Sequence, residues 1–239
     1  MDEKVAIRAL KQIKEVFDKH GIEYWLDLGT LLGAVRDGKF ISWDIDIDLG
    51  TWRTQIDKIN VASSELCVKG FEVLIGEWGS NFYILKKNCK IGVTLYRLSG
   101  NKALHLWLVH NKMGKPKRMI GDSLDYLHRV LSEKRHLVEN SRMPAFITKN
   151  LYKIVNKFSP SLRSQLAKIV WIMYEKIGFV IHLAIPSYYF KNLSTILFYE
   201  TEFKVPSKKE EYLFFRYGKN WKIPKKNYTY WKEDGAICC

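Results

Sequence analysis

Three aspartates at alternate positions, Asp44, Asp46 and Asp48, with isoleucines at 45 and 47 between them, constrain this chain more than any other feature. Successive side chains on a β-strand point to opposite faces, so the pattern predicts a half-buried strand with the isoleucines inward and the carboxylates together on the other face. Like charges at that spacing repel and raise one another's pKa, which makes the bare arrangement unfavourable until a cation sits among them. Hard carboxylate oxygens suit Mg²⁺ or Mn²⁺, and those ions in turn bind phosphate oxygens. Asp44, Asp46 and Asp48 are therefore the candidate catalytic carboxylates.

An ordinary strand with an acidic outer face would show the same alternation, so the residues ahead of it carry weight. Gly29-Thr30 falls where a strand gives way to a short helix, offering backbone N–H groups and a hydroxyl to a phosphate at a helix N-terminus. Gly33 and Arg36 follow in that helix, the arginine as a candidate phosphate clamp. Gly29, Thr30, Gly33 and Arg36 form the expected substrate-binding set.

Along the chain, Val5, Ala6, Ala9, Leu10, Ile13, Val16 and Phe17 recur at helical spacing, which predicts an amphipathic helix over 3–20 stopped by Gly21. A strand over 22–28, a helical piece over 31–36, a strand over 45–49 and a helix over 51–69 follow. After a strand at 71–75, the Tyr-, Ile-, Val- and Leu-rich segments 82–87, 91–98 and 103–109 read as an antiparallel meander. Beyond about 120 the pattern becomes helical and basic, with 13 Lys and Arg against four acids between 111 and 170. The stretch from Ile169 to Pro186 is the most apolar, but Glu175, Lys176 and His182 interrupt it, so it reads as a buried or interfacial helix and not a membrane span.

The net charge of +14 is uneven: residues 1–60 hold nine Lys and Arg against eleven Asp and Glu, while the remainder holds 30 against 14. Acidic groups gather at the expected site and basic ones elsewhere. A basic surface attracts nucleic acid, anionic lipid or phosphorylated substrate by the same long-range field. No recognisable nucleic-acid module is present, which disfavours that partner. Cys67, Cys89, Cys238 and Cys239 form no zinc-binding pattern, and the first residues lack the apolar core of a signal peptide. The default expectation is a cytoplasmic protein, with peripheral contact to an anionic membrane through the basic helical part.

The run from Tyr24 to Gly50, YWLDLGTLLGAVRDGKFISWDIDIDLG, resembles the signature block of the LicD family, which includes phosphocholine transferases and the fukutin-related transferases. The end of the chain is similar to that family too, in Phe203-Lys204-Val205-Pro206, Glu211-Tyr212-Leu213, Tyr217-Gly218, Trp221 and Pro224. The resemblance implies an α+β, nucleotidyltransferase-like mixed β-sheet with flanking helices and an appended basic helical region. It implies a single domain over 1–239, with a catalytic core at 1–119, a helical insertion at 120–190 and a closing part at 191–239. It implies Mg²⁺ or Mn²⁺ as cofactor, a CDP-activated donor, and transfer of phosphocholine or a polyol phosphate to a sugar or glycan hydroxyl. By match of motif, Asp46 and Asp48 are the metal ligands and Asp44 a supporting carboxylate. Where family members carry a third metal carboxylate before a Leu-Trp pair, this chain has His105. Either His105 takes that role, or Asp122 or Asp125 reaches in, or turnover is impaired and the protein binds glycan, nucleotide or an anionic membrane surface instead.

Overall fold

The computed structural model describes residues 1–75, 80–132 and 145–238. Helix α1 (Glu3–Lys19) starts where the Asp2 carboxylate accepts the Val5 N–H, and its apolar stripe Ala6, Ala9, Leu10, Ile13, Val16 and Phe17 is entirely buried. It packs on α3 (Ile56–Val68), which contributes Ile59, Ala62 and Leu66. Gly21, at φ +58°, turns the chain out of α1 toward strand β1 (Tyr24–Leu26). The expected strand over 22–28 stops early because Asp27 caps helix α2 (Leu28–Arg36), taking the Leu28 N–H at 2.9 Å.

Strand β2 (Asp46–Trp52) lies between β1 and β5 (Cys89–Ser99), antiparallel to the first and parallel to the second. A parallel pair needs a crossover connection. Here α3, β3 (Glu72–Ile75) and β4 (Asn81–Lys86) lie between them in the chain, giving the order β1-β2-β5-β4-β3. The end of β5 turns back through β6 (Lys102–Leu108), which pairs in turn with β7 (Val180–Pro186). The result is a mixed sheet with the expected meander inside it.

Two compact units emerge, one made of residues 1–105 and 182–239, the other of residues 106–181. The second holds helices α4 (Lys115–Leu131), α5 (Ala145–Val155) and α6 (Pro160–Lys176) around its own core of Tyr126, Val130, Leu131, Val155, Ala167 and Val170. The stretch 169–186, read from sequence as one helix, is two elements. Helix α6 ends at Lys176, Gly178 adopts φ +81°, and the β-branched run that follows enters β7. The first unit is completed by α7 (Tyr188–Lys191), the hairpin of β8 (Leu193–Phe198) and β9 (Thr201–Pro206), α8 (Lys209–Tyr217) and α9 (Tyr230–Glu233).

Candidate active site

The site is built where β1 hands the chain to α2, directly beside the start of β2. Asp48 is fixed twice from α2: its backbone N–H donates to Thr30 Oγ1 at 2.8 Å, and its carboxylate accepts the Gly29 N–H at 3.2 Å. Gly29 and Thr30 thus hold the Asp48 carboxylate in place, a role the phosphate-cradle expectation did not include. A methyl group on Gly29 would lie 2.4 Å from Asp44 Oδ2 and 3.3 Å from Asp48 Oδ2, so both carboxylates flank that one glycine. Leu28, one residue earlier, sits at φ +43°, a conformation uncommon for a branched residue.

Asp44 does not reach this point by strand alternation. The strand begins at Asp46, and Ile45 is 74% exposed where the alternation placed it inward. Instead Asp44 is presented by a turn in which its N–H donates to the Ile41 carbonyl at 2.9 Å. That turn folds back closely onto α2, because a methyl on Gly33 would come within 2.6 Å of the Lys39 carbonyl. Gly33 is therefore a packing glycine that lets Asp44 approach. Phe40 N–H, donating to the Tyr199 hydroxyl at 2.9 Å, anchors the same loop to the hairpin turn.

Crowding of the carboxylates shows in their electrostatics. Burial first, then the Asp46 charge, pushes the Asp44 carboxyl up to about 6. Burial followed by the charges of Asp46, Asp44 and Asp27 holds Asp48 well above the usual carboxylate range. Asp46 is partly relieved by Lys90, whose Nζ donates to its Oδ2 at 3.2 Å from the neighbouring strand. Among the described residues no group of three or more His, Cys, Asp and Glu side chains is gathered as a closed ligand set. An open pair of carboxylates still fits Mg²⁺ or Mn²⁺, since such ions are commonly held by one or two carboxylates with water and substrate phosphates filling the other positions. Asp46 and Asp48 are the residues that would hold it.

Two expected participants are not brought to these carboxylates. Arg36 is seven residues beyond Gly29, about 10 Å along the axis of α2 at 1.5 Å per residue, and its guanidinium is engaged by Asp37 at 2.9 and 2.7 Å. His105 is only 7% exposed, packed edge-on against Tyr96 with ring centroids 5.7 Å apart. Tyr96 lies opposite Trp52, four residues further along β2 than Asp48, a displacement of about 13 Å at some 3.3 Å per residue. Burial and the nearby Arg216 guanidinium lower the His105 pKa to about 3, so the ring is a neutral member of the core. The other carboxylates considered for that role, Asp122 and Asp125, lie on α4; Asp125 is paired with Arg129 one helical turn on.

Sequence reasoning passed over the network that supports the site from below. Asp27 is fully buried and accepts the Tyr96 hydroxyl at 2.6 Å and the Tyr212 hydroxyl at 2.7 Å. Arg216 Nη1 donates to Tyr212 at 2.7 Å, and its Nε and Nη2 clasp the Asp234 carboxylate at 2.6–2.8 Å. Gly50 makes room for this arrangement, since a methyl there would lie 2.4 Å from Trp25 Nε1 and 2.9 Å from Asp27 Oδ2. The signal available beforehand was the pairing of the two resembling segments: Asp27 lies in one and Tyr212 in the other.

An uncharacterised protein of Rickettsia typhi is 28% identical over 106 residues, covering 44% of this chain and 29% of that protein. The human ribitol 5-phosphate transferase FKRP is 44% identical over 50 residues, covering 19% of this chain and 10% of FKRP. These alignments thus span less than a third of each relative's length. Among solved structures, the antibiotic-resistance factor ANT(2'')-Ia covers 73% of this chain and 93% of its own at 13% identity and a TM-score of 0.36, a likeness too loose to carry a mechanism. The family model described as LicD/FKTN/FKRP, nucleotidyltransferase domain, matches residues 21–152, more than half of the chain. The chain belongs to the LicD/FKTN/FKRP family.

Proposed function

We propose that this protein is a divalent-metal-dependent transferase that moves a phospho-alcohol group, phosphocholine or a polyol phosphate, from a CDP-activated donor to a sugar or glycan hydroxyl. The observation that carries this reading is the convergence of Asp44 and Asp48 on Gly29, with Asp46 beside them, at the N-terminus of α2. Asp46 and Asp48 would hold a divalent ion, which when bound would supply positive charge against the donor phosphates. Asp44, set apart in its turn, orients the acceptor hydroxyl and takes its proton. The acceptor oxygen then forms a bond to the distal phosphorus as the bond to the cytidine monophosphate breaks in line. The buried Asp27 network keeps the start of α2 fixed while this happens, so positioning is the protein's main contribution.

A second reading, binding without turnover, draws support from His105, which lies in the core where a third carboxylate was expected. A thermal-shift screen of CTP, CDP-choline, CDP-ribitol and CDP-glycerol with Mg²⁺ or Mn²⁺, followed by a transfer assay with any stabilising donor, separates the two. A donor that binds raises the melting temperature by mass action. Stabilisation with product formation supports transfer; stabilisation without product for any acceptor favours the binding protein; no stabilisation by any cytidine compound removes the donor assignment.

A further inference from the structure

Lys90 is paired directly with a member of the carboxylate cluster, Asp46, and its placement is specified by three strands. It stands opposite Asp46 across the parallel β2–β5 pair, and its Nζ lies 3.2 Å from Asp46 Oδ2 and 4.7 Å from the centre of the Tyr83 ring on β4. Two residues on, Gly92 lies between Asp48 and Tyr83 in a single row across β2, β5 and β4. A methyl at Gly92 would lie 3.9 Å from Asp48 Oδ1 and 4.0 Å from Tyr83 Cε1, so the glycine leaves a shallow notch running from the carboxylate to the aromatic ring. The lysine side chain is 46% exposed at the border of that notch, so its amine can turn without disturbing the core.

We propose that Lys90 exchanges partners: it is the counter-ion of Asp46 while the site is metal-free, and a ligand of the substrate's phosphate oxygens once a divalent ion occupies Asp46 and Asp48. A single carboxylate oxygen cannot serve a divalent ion and an ammonium equally, because the bound ion withdraws the negative charge that held the lysine. The ammonium, kept nearby by the Tyr83 face, then meets the anionic group that the ion recruits. The notch at Gly92 is where a diphosphate can lie between the two cations. This inference rests on the proposed transfer reaction for the identity of the phosphate ligand, but not for the competition with metal.

The test uses the full chain and its Lys90→Gln and Lys90→Arg variants, measuring Mn²⁺ binding by calorimetry and then pyrophosphate and CDP binding with Mn²⁺ in excess. Lys90→Gln should bind Mn²⁺ several-fold more tightly, having lost the competing cation, yet bind pyrophosphate and CDP about 10-fold more weakly, having lost a charge-assisted contact. Lys90→Arg should restore most of the phosphate affinity. Opposite changes from one substitution are not expected of a lysine that merely ties two strands together, which would lower the melting temperature and move both affinities the same way. Unchanged Mn²⁺ affinity, or unchanged pyrophosphate affinity, in Lys90→Gln overturns the proposal. A wild-type protein that binds pyrophosphate but no cytidine compound leaves Lys90 in its role and removes the CDP-donor reading. Failure of the wild type to bind Mn²⁺ overturns both.

Discussion

The Asp48 backbone N–H donates to Thr30 Oγ1 at 2.8 Å, while the Asp48 carboxylate takes the N–H of Gly29, the residue before Thr30. Adjacent residues at the start of α2 therefore fix both the main chain and the side chain of one carboxylate. A carboxylate held at two points cannot drift toward solvent when its neighbours repel it, so the crowding of like charges is retained in the folded protein.

Gly29 is the most sensitive position in this arrangement. Gly29→Ala must move Asp44, since the new methyl would lie 2.4 Å from its Oδ2. The expected outcome is a loss of Mn²⁺ affinity of at least about 10-fold, with a stability cost of about 1–3 kcal/mol, as found for overpacked positions. Calorimetric Mn²⁺ titration with a parallel melting curve checks this; wild-type metal affinity in the alanine variant would refute the geometry.

The raised carboxyls predict a distinctive pH profile. A folded-state pKa of about 6 for Asp44 against an ordinary value of 3.8 means that the native protein binds a proton more readily than the unfolded chain. Its contribution to stability is full below the unfolded value and is lost as pH rises through about 6. Metal-free Asp44→Asn should therefore show less loss of melting temperature than wild type between pH 5 and pH 7.5. Saturating Mn²⁺ should remove the difference in slope in wild type, and Mn²⁺ affinity should fall with falling pH, because the Asp48 carboxyl, held above the usual carboxylate range by burial and its neighbours' charges, must be ionised to coordinate.

His105 offers a test of whether the third carboxylate can be rebuilt. In its core position against Tyr96, His105→Asp buries a carboxyl in place of a neutral ring, and the expected cost is about 1–3 kcal/mol with no gain in Mg²⁺ binding. The pKa near 3 carries a second consequence: His105 contributes stability above the unfolded value of 6.5 that is lost progressively as pH falls toward 3. Replacement by Phe should flatten that acid limb. Improved Mg²⁺-dependent turnover in His105→Asp would show that this strand reaches the metal after all.

Helix α6 exposes Ile169, Ile172 and Met173, with Ile177 just past its end and Lys168 and Lys176 beside them. No described helix is long and apolar enough to cross a membrane. An exposed apolar stripe with flanking lysines suits a shallow contact with anionic lipid. Co-sedimentation with phosphatidylserine-containing vesicles should fall steeply between about 50 and 200 mM salt, a range over which the Debye length shortens, and Ile172→Glu with Met173→Glu should weaken it further. No binding to such vesicles at low salt would dismiss the contact.

What could be read from the sequence depended on distance along the chain. The stripe of α1 and the three-segment meander are local periodicities, and the structure reproduces both within one or two residues. The alternation of Asp46, Ile47 and Asp48 along β2 is legible for the same reason. The expectation of a phosphate clamp at Arg36 comes from its place in the resembling block; its pairing with Asp37 at the end of α2 is a rotamer-level contact that residue order does not reveal. Lys90 left no mark in sequence because its relation to Asp46 is a cross-strand register, fixed only when β2 and β5 pair. The Asp27 network was hidden because its hydroxyl donors are 69 and 185 residues away.

That last separation sets a schedule for synthesis. Asp27 is made 185 residues before the Tyr212 hydroxyl that it accepts, an interval of about 10–40 s at 5–20 residues per second. Throughout that time the clustered carboxylates already exist without the floor that holds α2 in place. A nascent chain stalled before α8 should carry the acidic motif complete in sequence and yet lack the Tyr212 support beneath it, so any binding of a divalent ion by those carboxylates is expected only after α8 has been made.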